Sequence, residues 1–442
     1  MRWPRRRGRC KKTMMRSCSQ LALVLVALLT GCHIGETAGA SAGGASSGLE
    51  TSGTTGAASA SSGGETGVDG CSAEQFAILG HCYRRVDFPA IRWTRTVAAA
   101  DMDDDGRTDL VMTCDGVEVP QAVCMLRVNT DASVVRKDVE WLGGPLPFVG
   151  PADFDADGIA DVLVSNLYKF AVYSLGPTGF EVHSEFVFDP EVHDPGDAWV
   201  YPALPIDLEQ DGRAEIVAGS SFNGFRVLRF DGGASQWVPS GERYTLFGCG
   251  NIADAKVADL DGDGAPELLA IGSHNDCDAN MSPGTGWNRV SVFTANGSKL
   301  VDDGSFPAEL AARRLEVADF DGDKRLDLLV AADEDMMLFR GKGDRSFAAP
   351  LPIPGMAKFY GSGPRAGDFD LDGTSEILVE QEDYLYSLLV GLPAPAKLPM
   401  PEHINAVELL HDVDEDGRPD FVTIDAPPDQ EYHLVLTLSG PP

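Results

Sequence analysis

Apolar residues along this chain gather in short runs, at 110–113, 162–164, 216–218, 268–271, 328–330, 377–379 and 421–424. The runs are rich in side chains that suit a pleated, packed surface. Each follows an acidic turn, and before the turn stands another short apolar stretch, as at 96–100 and 255–258. Two apolar segments on either side of a polar turn predict adjacent antiparallel strands. Further alternating segments follow inside the units, for example 170–174 and 181–188, so four strands per unit is the expected count.

The turn is one motif written seven times, Asp-x-Asp-x-Asp-Gly-x-x-Asp with small variations. Its acidic positions are Asp101, Asp103, Asp105 and Asp109; Asp153, Asp155, Asp157 and Asp161; Asp207, Glu209, Asp211 and Glu215; and Asp259, Asp261, Asp263 and Glu267. Then come Asp319, Asp321, Asp323 and Asp327; Asp368, Asp370, Asp372 and Glu376; and Asp412, Asp414, Asp416 and Asp420. Successive copies start 52, 54, 52, 60, 49 and 44 residues apart, a period that signals an array of supersecondary units. Four-stranded units at this period fit the blades of a β-propeller, whereas an open solenoid would need polar capping repeats at its ends. After the last loop the chain has room for strands at 421–424 and 432–439 but not for a fourth. The segment 81–88 precedes the first loop without a partner in its own unit, so it is expected to complete the last blade. The predicted architecture is all-β: a seven-bladed propeller of four-stranded antiparallel blades over residues 71–442.

Carboxylates at the first, third and fifth loop positions converge on one point when the backbone turns tightly, and the glycine after them permits the required φ. The seventh position can add its carbonyl, and the ninth replaces the distant Glu that closes an EF-hand. Residues at the twelfth position are apolar in most copies, for example Met112, Val164, Ala270 and Val330, which argues against both EF-hands and catalytic carboxylate pairs. An all-oxygen, carboxylate-rich donor set selects Ca²⁺ over zinc or copper, with up to seven ions expected. Motif and period together resemble the FG-GAP or VCBS-type repeat family over roughly residues 85–442. The resemblance implies a propeller whose calcium loops match these positions. Two copies depart from the pattern. The fifth has Lys324 where Gly is expected, altering its turn, and the third has Glu209 and Glu215, whose longer arms loosen the site.

The amino-terminal region reads as export and anchoring. Nine apolar residues at 21–29 follow basic ones, too short to span a bilayer and suited to a signal peptide over 1–31. Leu29-Thr30-Gly31-Cys32 resembles the lipobox of bacterial lipoproteins, which makes Cys32 the lipidated residue and places the chain in the cell envelope, at an outer membrane. Residues 32–70 then form a Gly/Ala/Ser/Thr-rich disordered linker. Six further cysteines remain, an even number that reads as three disulfides in an exported chain. Sequence does not fix their connectivity, but proximity along the chain suggests Cys71 with Cys82, Cys114 with Cys124 and Cys249 with Cys277.

The formal charge is -33, and with eight basic residues and no acid ahead of Cys32 the remainder carries -41. Seven bound divalent ions would still leave it strongly acidic, so nucleic acid is not an expected partner. The expected role is a surface-anchored, calcium-stabilised, non-enzymatic binding or adhesion module for a protein or carbohydrate ligand. A polysaccharide lyase or hydrolase, or a structural subunit of an envelope assembly, stands as the alternative. Aromatic segments after the second strands, with Trp199, Tyr201, Phe222 and Trp287, are expected on the face opposite the loops as the ligand surface.

Overall fold

In the computed structural model the chain divides into two units, 1–62 and 63–442. The structure describes residues 71, 75–78, 81–92, 96–114, 122–128, 134–140, 148–165, 169–177, 179–187, 203–219, 224–240, 243–244, 246, 252–272, 289–310, 312–332, 335–353, 363–369, 371–381, 384–388, 396–397, 404–425 and 433–440, all in the second unit. The signal peptide, Cys32, the linker, Cys249, Cys277, Asp370 and the four proposed ligand-face aromatics Trp199, Tyr201, Phe222 and Trp287 lie outside the described residues.

The first blade contains Val97–Ala100, Asp109–Cys114, Ala122–Val128 and Val134–Glu140 in sequential antiparallel order. Five more four-stranded sheets repeat that order, beginning at Phe148–Ala152, Ala203–Ile206, Ile252–Ala258, Arg314–Ala318 and Arg365–Gly367. The expectation of seven four-stranded blades needs correcting: six blades are four-stranded, and the remaining sheet has five strands. In it Ile404–His411, Asp420–Asp425 and His433–Gly440 continue into His81–Arg92 and then Gln75–Ile78. The strand His81–Arg92 completes this sheet by pairing with His433–Gly440, Cys82 opposite Gly440 and Phe88 opposite Leu434, as the leftover segment implied. The extra edge strand Gln75–Ile78 folds back on His81–Arg92 as a hairpin, and the Cys71–Cys82 disulfide ties its start down. A run of only four residues carries too little periodicity to be read as a strand in advance. Cys114 and Cys124 are joined across the second and third strands of the first blade.

Side chains explain why the second strand of each unit reads as a continuous apolar run. In Asp109–Cys114 every residue is buried, because both faces of an inner strand are covered by neighbouring blades. Leu110 and Met112 pack with Val422, Leu434 and Leu436 of the five-stranded sheet, while Val111, between them, packs with Val162 and Val164 of the second blade. Leu163 turns the other way, onto Ile216 and Ala218 of the third. Such alternation continues around the molecule, and the cluster joining the first blade to the last sheet closes the ring. Between the sixth blade and the last sheet Phe369 stacks on Phe421 at 5.0 Å between ring centroids. Outer strands such as Gly179–Val187 and Lys299–Pro307 are mostly exposed, with charged residues interspersed among exposed valines such as Val182 and Val301.

Candidate metal-binding loops

Each acidic loop joins the first strand of a sheet to the second, and all seven share one hydrogen-bond scheme. The first-position carboxylate accepts the backbone N–H of the sixth residue: Gly106 to Asp101 at 2.8 Å, Gly158 to Asp153 at 2.8 Å, Gly212 to Asp207 at 3.0 Å and Gly264 to Asp259 at 2.9 Å. Lys324 to Asp319 at 2.8 Å, Gly373 to Asp368 at 2.9 Å and Gly417 to Asp412 at 2.8 Å complete the set. The fifth-position carboxylate accepts the N–H of the seventh residue in the same way, as in Arg107 to Asp105 at 3.0 Å. Asx turns of this kind hold the loop without help from the rest of the fold.

The ninth residue plays a different part from the other three. It opens the second strand, is buried, and accepts the N–H of the second loop residue: Met102 to Asp109 at 3.2 Å, Leu208 to Glu215 at 3.0 Å, Phe369 to Glu376 at 2.7 Å and Val413 to Asp420 at 2.8 Å. The second residue is itself a buried apolar plug in every copy, Met102, Phe154, Leu208, Leu260, Phe320, Phe369 and Val413. Phe154, for instance, packs into the cluster between the second and third blades. Sequence reasoning passed over this position, although its unbroken apolar character was there to be read.

Two residues per loop have left-handed φ. At the sixth position it runs from 66° at Lys324 to 90° at Gly158. At the fourth position Asp104, Ala156, Gln210, Leu371 and Glu415 adopt it without being glycine, and Gly262 and Gly322 occupy the equivalent places. Lys324 therefore does not alter its turn as expected; it keeps the φ and the hydrogen bond of the glycines at some conformational cost.

Burial of carboxylates sets the electrostatics. At the ninth position desolvation raises the affinity of Asp109, Asp161, Glu215 and Glu267 for a proton above the usual carboxylate range. The same cause takes Asp327 to about 6 and Asp420 to about 7. Asp414, desolvated and beside Asp416 and Asp412, rises to about 6. Carboxylate oxygens come within 4.8 Å of one another in five groups: Asp101, Asp103 and Asp109; Asp153, Asp155 and Asp161; Asp259, Asp261 and Asp263; Asp319, Asp321 and Asp327; and Asp412, Asp414 and Asp420. These clusters have the geometry to hold a metal ion. Asp207, Glu209, Asp211 and Glu215 are absent from such a grouping among the described residues, in keeping with the longer Glu arms of the third loop. In the sixth loop Asp370 falls outside the described residues.

An unmet acceptor supports the fit of a cation. Oδ1 of Asp103, of Asp321 and of Asp414, all third-position residues, are buried without an aligned hydrogen-bond donor. A buried anionic oxygen with no donor is costly, and a hard cation among carboxylates satisfies it.

Neighbouring loops are also wired together. In two loop pairs the eighth residue donates its N–H to the first-position carbonyl of the preceding loop, Ala214 to Asp153 at 2.8 Å and Ser375 to Asp319 at 2.8 Å. Arg213 adds a bond to the Asp155 carbonyl at 3.1 Å. Thr108 Oγ1 lies 3.4 Å from His411 Nε2, where the first loop meets the last sheet.

Residues 207–270 and 319–379 match the model of the FG-GAP-like repeat family. The chain carries FG-GAP-like repeats. Each matched stretch runs from the start of one acidic loop to the second strand of the next blade, so the match covers the motif and the period together. No curated protein matches the chain. Among solved structures, BBS1N in complex with ARL6DN, soaked with mercury, superposes with a TM-score of 0.51 at 11% identity, covering 83% of this chain and 97% of that one. A lead-soaked form of that complex gives 0.48 at 11% identity, covering 80% and 95%. An Agrocybe aegerita lectin with specific recognition of non-reducing terminal N-acetylglucosamine gives 0.46 at 18% identity, covering 69% and 80%. At such identities the first of these likenesses supports the propeller fold and nothing finer.

Proposed function

We propose that the protein is a calcium-stabilised, non-enzymatic binding module that displays a propeller for a protein or carbohydrate ligand at the bacterial cell surface. The observation that carries the reading is the set of convergent carboxylates, repeated around one ring and held by the loops' own backbone. Oxygen-only donors in that number favour Ca²⁺. At a calcium concentration ten times its Kd, each ion would contribute about 1.4 kcal/mol to stability. Because the ligands are spent on holding the fold, we assign the metal a structural role and not a catalytic one. The lipobox-like Leu29-Thr30-Gly31-Cys32 supports anchoring through a lipid on Cys32, and the Gly/Ala/Ser/Thr-rich stretch up to residue 70 supports a tether between anchor and propeller. Trp199, Tyr201, Phe222 and Trp287 are the proposed ligand contacts.

Titration of the full chain with CaCl₂, together with melts in calcium and in a chelator, tests the metal role. Heat of binding and a higher midpoint in calcium are expected, and coincident melts would overturn it. Labelled fatty acid should enter the native chain but not Cys32→Ala; incorporation into the variant would overturn the anchor. Trp199→Ala with Trp287→Ala should abolish retention on a glycan array or by a captured protein while sparing the calcium-dependent melt. Full retention would move the ligand site elsewhere.

A further inference from the structure

Among the described residues the first loop differs from its relatives in the cation that stands inside it. Arg127, directly opposite Asp109 in the register of the third strand, reaches three of the loop's four carboxylates. Its Nε lies 2.9 Å from Asp109 Oδ1, its Nη1 3.0 Å from Asp105 Oδ2 and its Nη2 2.5 Å from Asp103 Oδ1. Only 15% of the side chain is exposed, so the guanidinium sits within the cluster and not over it. A planar fork of donors suits several carboxylates at once, and its charge persists at any physiological pH.

In three other loops the buried ninth-position carboxylate instead accepts from small neutral donors. Ser174 Oγ donates to Asp161 at 2.6 Å, the Gly341 N–H to Asp327 at 2.8 Å and the Ser439 N–H to Asp420 at 2.7 Å. Arg340 and Arg345 approach the fifth and fourth loops, but each touches a single carboxylate there, Asp321 and Asp261 respectively. At the third position the contrast is one of charge: Oδ1 of Asp103, of Asp321 and of Asp414 all lack an aligned hydrogen-bond donor, but of the three it is Asp103 Oδ1 that has a guanidinium nitrogen 2.5 Å away.

We propose that the first loop takes no metal because Arg127 is its resident cation, filling with a guanidinium the place where sister loops accept calcium. The proposal rests on the calcium reading of those sister loops. It implies that the first blade stays closed when calcium is withdrawn and that the protein binds at least one ion fewer than it has loops.

Calorimetric titration of the full chain with CaCl₂ gives the test. In the otherwise native chain Asp103→Asn should leave the number of bound ions unchanged, while the matching Asp155→Asn in the second loop should lower it by one. Arg127→Ser, which installs the residue type found at Ser174, should raise the number by one, and Asp103→Asn added to it should cancel the gain. Loss of one ion in the Asp103→Asn chain overturns the proposal, as does a folded Arg127→Ser chain with no gain. Should Arg127→Ser not fold, the Asp103→Asn and Asp105→Asn counts decide, since neither touches Arg127's backbone strand. A native chain that binds no calcium beside an Arg127→Ser chain that binds one would remove the calcium role of the other loops and leave this inference standing.

Discussion

The first and last loops meet where the ring closes, and the same carboxylate pattern has different surroundings in each. Both share the Asx turns, the buried plug and the ninth-position bond to the plug's N–H. In the first, a guanidinium supplied by the chain balances Asp103, Asp105 and Asp109. In the last, among the described residues, Asp420 accepts from the neutral donors of Ser439, Val413 and Asp414, buried Asp414 Oδ1 has no aligned donor, and the charge of Arg84 acts on Asp414 without a close ion pair. On the proposed reading the loop backbone is a scaffold indifferent to its cation, and the third strand decides whether the chain or a metal supplies the charge.

The largest difference between these regions should appear when calcium is withdrawn. A chelator should lower the midpoint of the melt by on the order of 10 °C if about six sites each contribute around 1.4 kcal/mol. The drop should be cooperative, because loops are bonded to one another through Ala214 to Asp153 and Ser375 to Asp319. Hydrogen exchange should show protection lost at residues 404–411 and 433–440 before residues 97–114. Equal loss in both segments would erase the contrast.

Acidity gives a second handle. Asp420 at about 7, with Asp327 and Asp414 at about 6, stand above the ordinary value of 3.8, all chiefly through burial. Between the ordinary and the raised values the native state holds more protons than the unfolded chain, so stability falls as pH rises through that window. In chelator the midpoint should therefore drop by several degrees from pH 5 to pH 8. With calcium bound the carboxylates are already ionised and the slope should flatten. A midpoint that climbs with pH in chelator would contradict the assignment of buried, unpaired charge.

Third in size is a pair of substitutions at the third loop position. Asp414→Asn removes a buried charge without stripping a donor from Oδ1, so it should raise the chelator melt and lower the calcium melt, each by about 2–4 °C. Asp103→Asn breaks an ion pair with Arg127 and should lower both melts alike. The same sign pattern at both positions would mean the two loops are neutralised in one way after all.

How much of this was legible beforehand divides along physical lines. Loop spacing and the apolar runs carried the propeller and the convergence of carboxylates, because both follow from local periodicity. The strand His81–Arg92 was found by counting what the last sheet lacked. Arg127 was not found, since its role depends on sitting opposite Asp109 in register, and a sequence separation of 18 hides that contact. The plug at the second position was overlooked because attention to acidic residues masked the apolar one between them. Nor did the motif show that its fourth residue is left-handed, for Asp104, Ala156 and Leu371 carry no common side-chain signal.

The smallest expected effect isolates the scaffold from its cation. Lys324 holds φ at 66° in the sixth position, where five of its counterparts have values from 80° to 89° and Gly158 has 90°, all of them glycine. A side chain in the left-handed region costs about 1 kcal/mol, partly offset in Gly by the greater freedom of the unfolded chain. The N–H that bonds Asp319 at 2.8 Å is kept by glycine, so Lys324→Gly alters strain and one exposed charge and leaves the turn itself alone. It should stabilise the protein by up to about 1 kcal/mol, by the same amount with and without calcium, read from denaturant midpoints at unchanged slope. A gain confined to calcium would show instead that the Lys324 charge opposes the ion, and that the fifth loop, like the first, is set by the cations the chain brings to it.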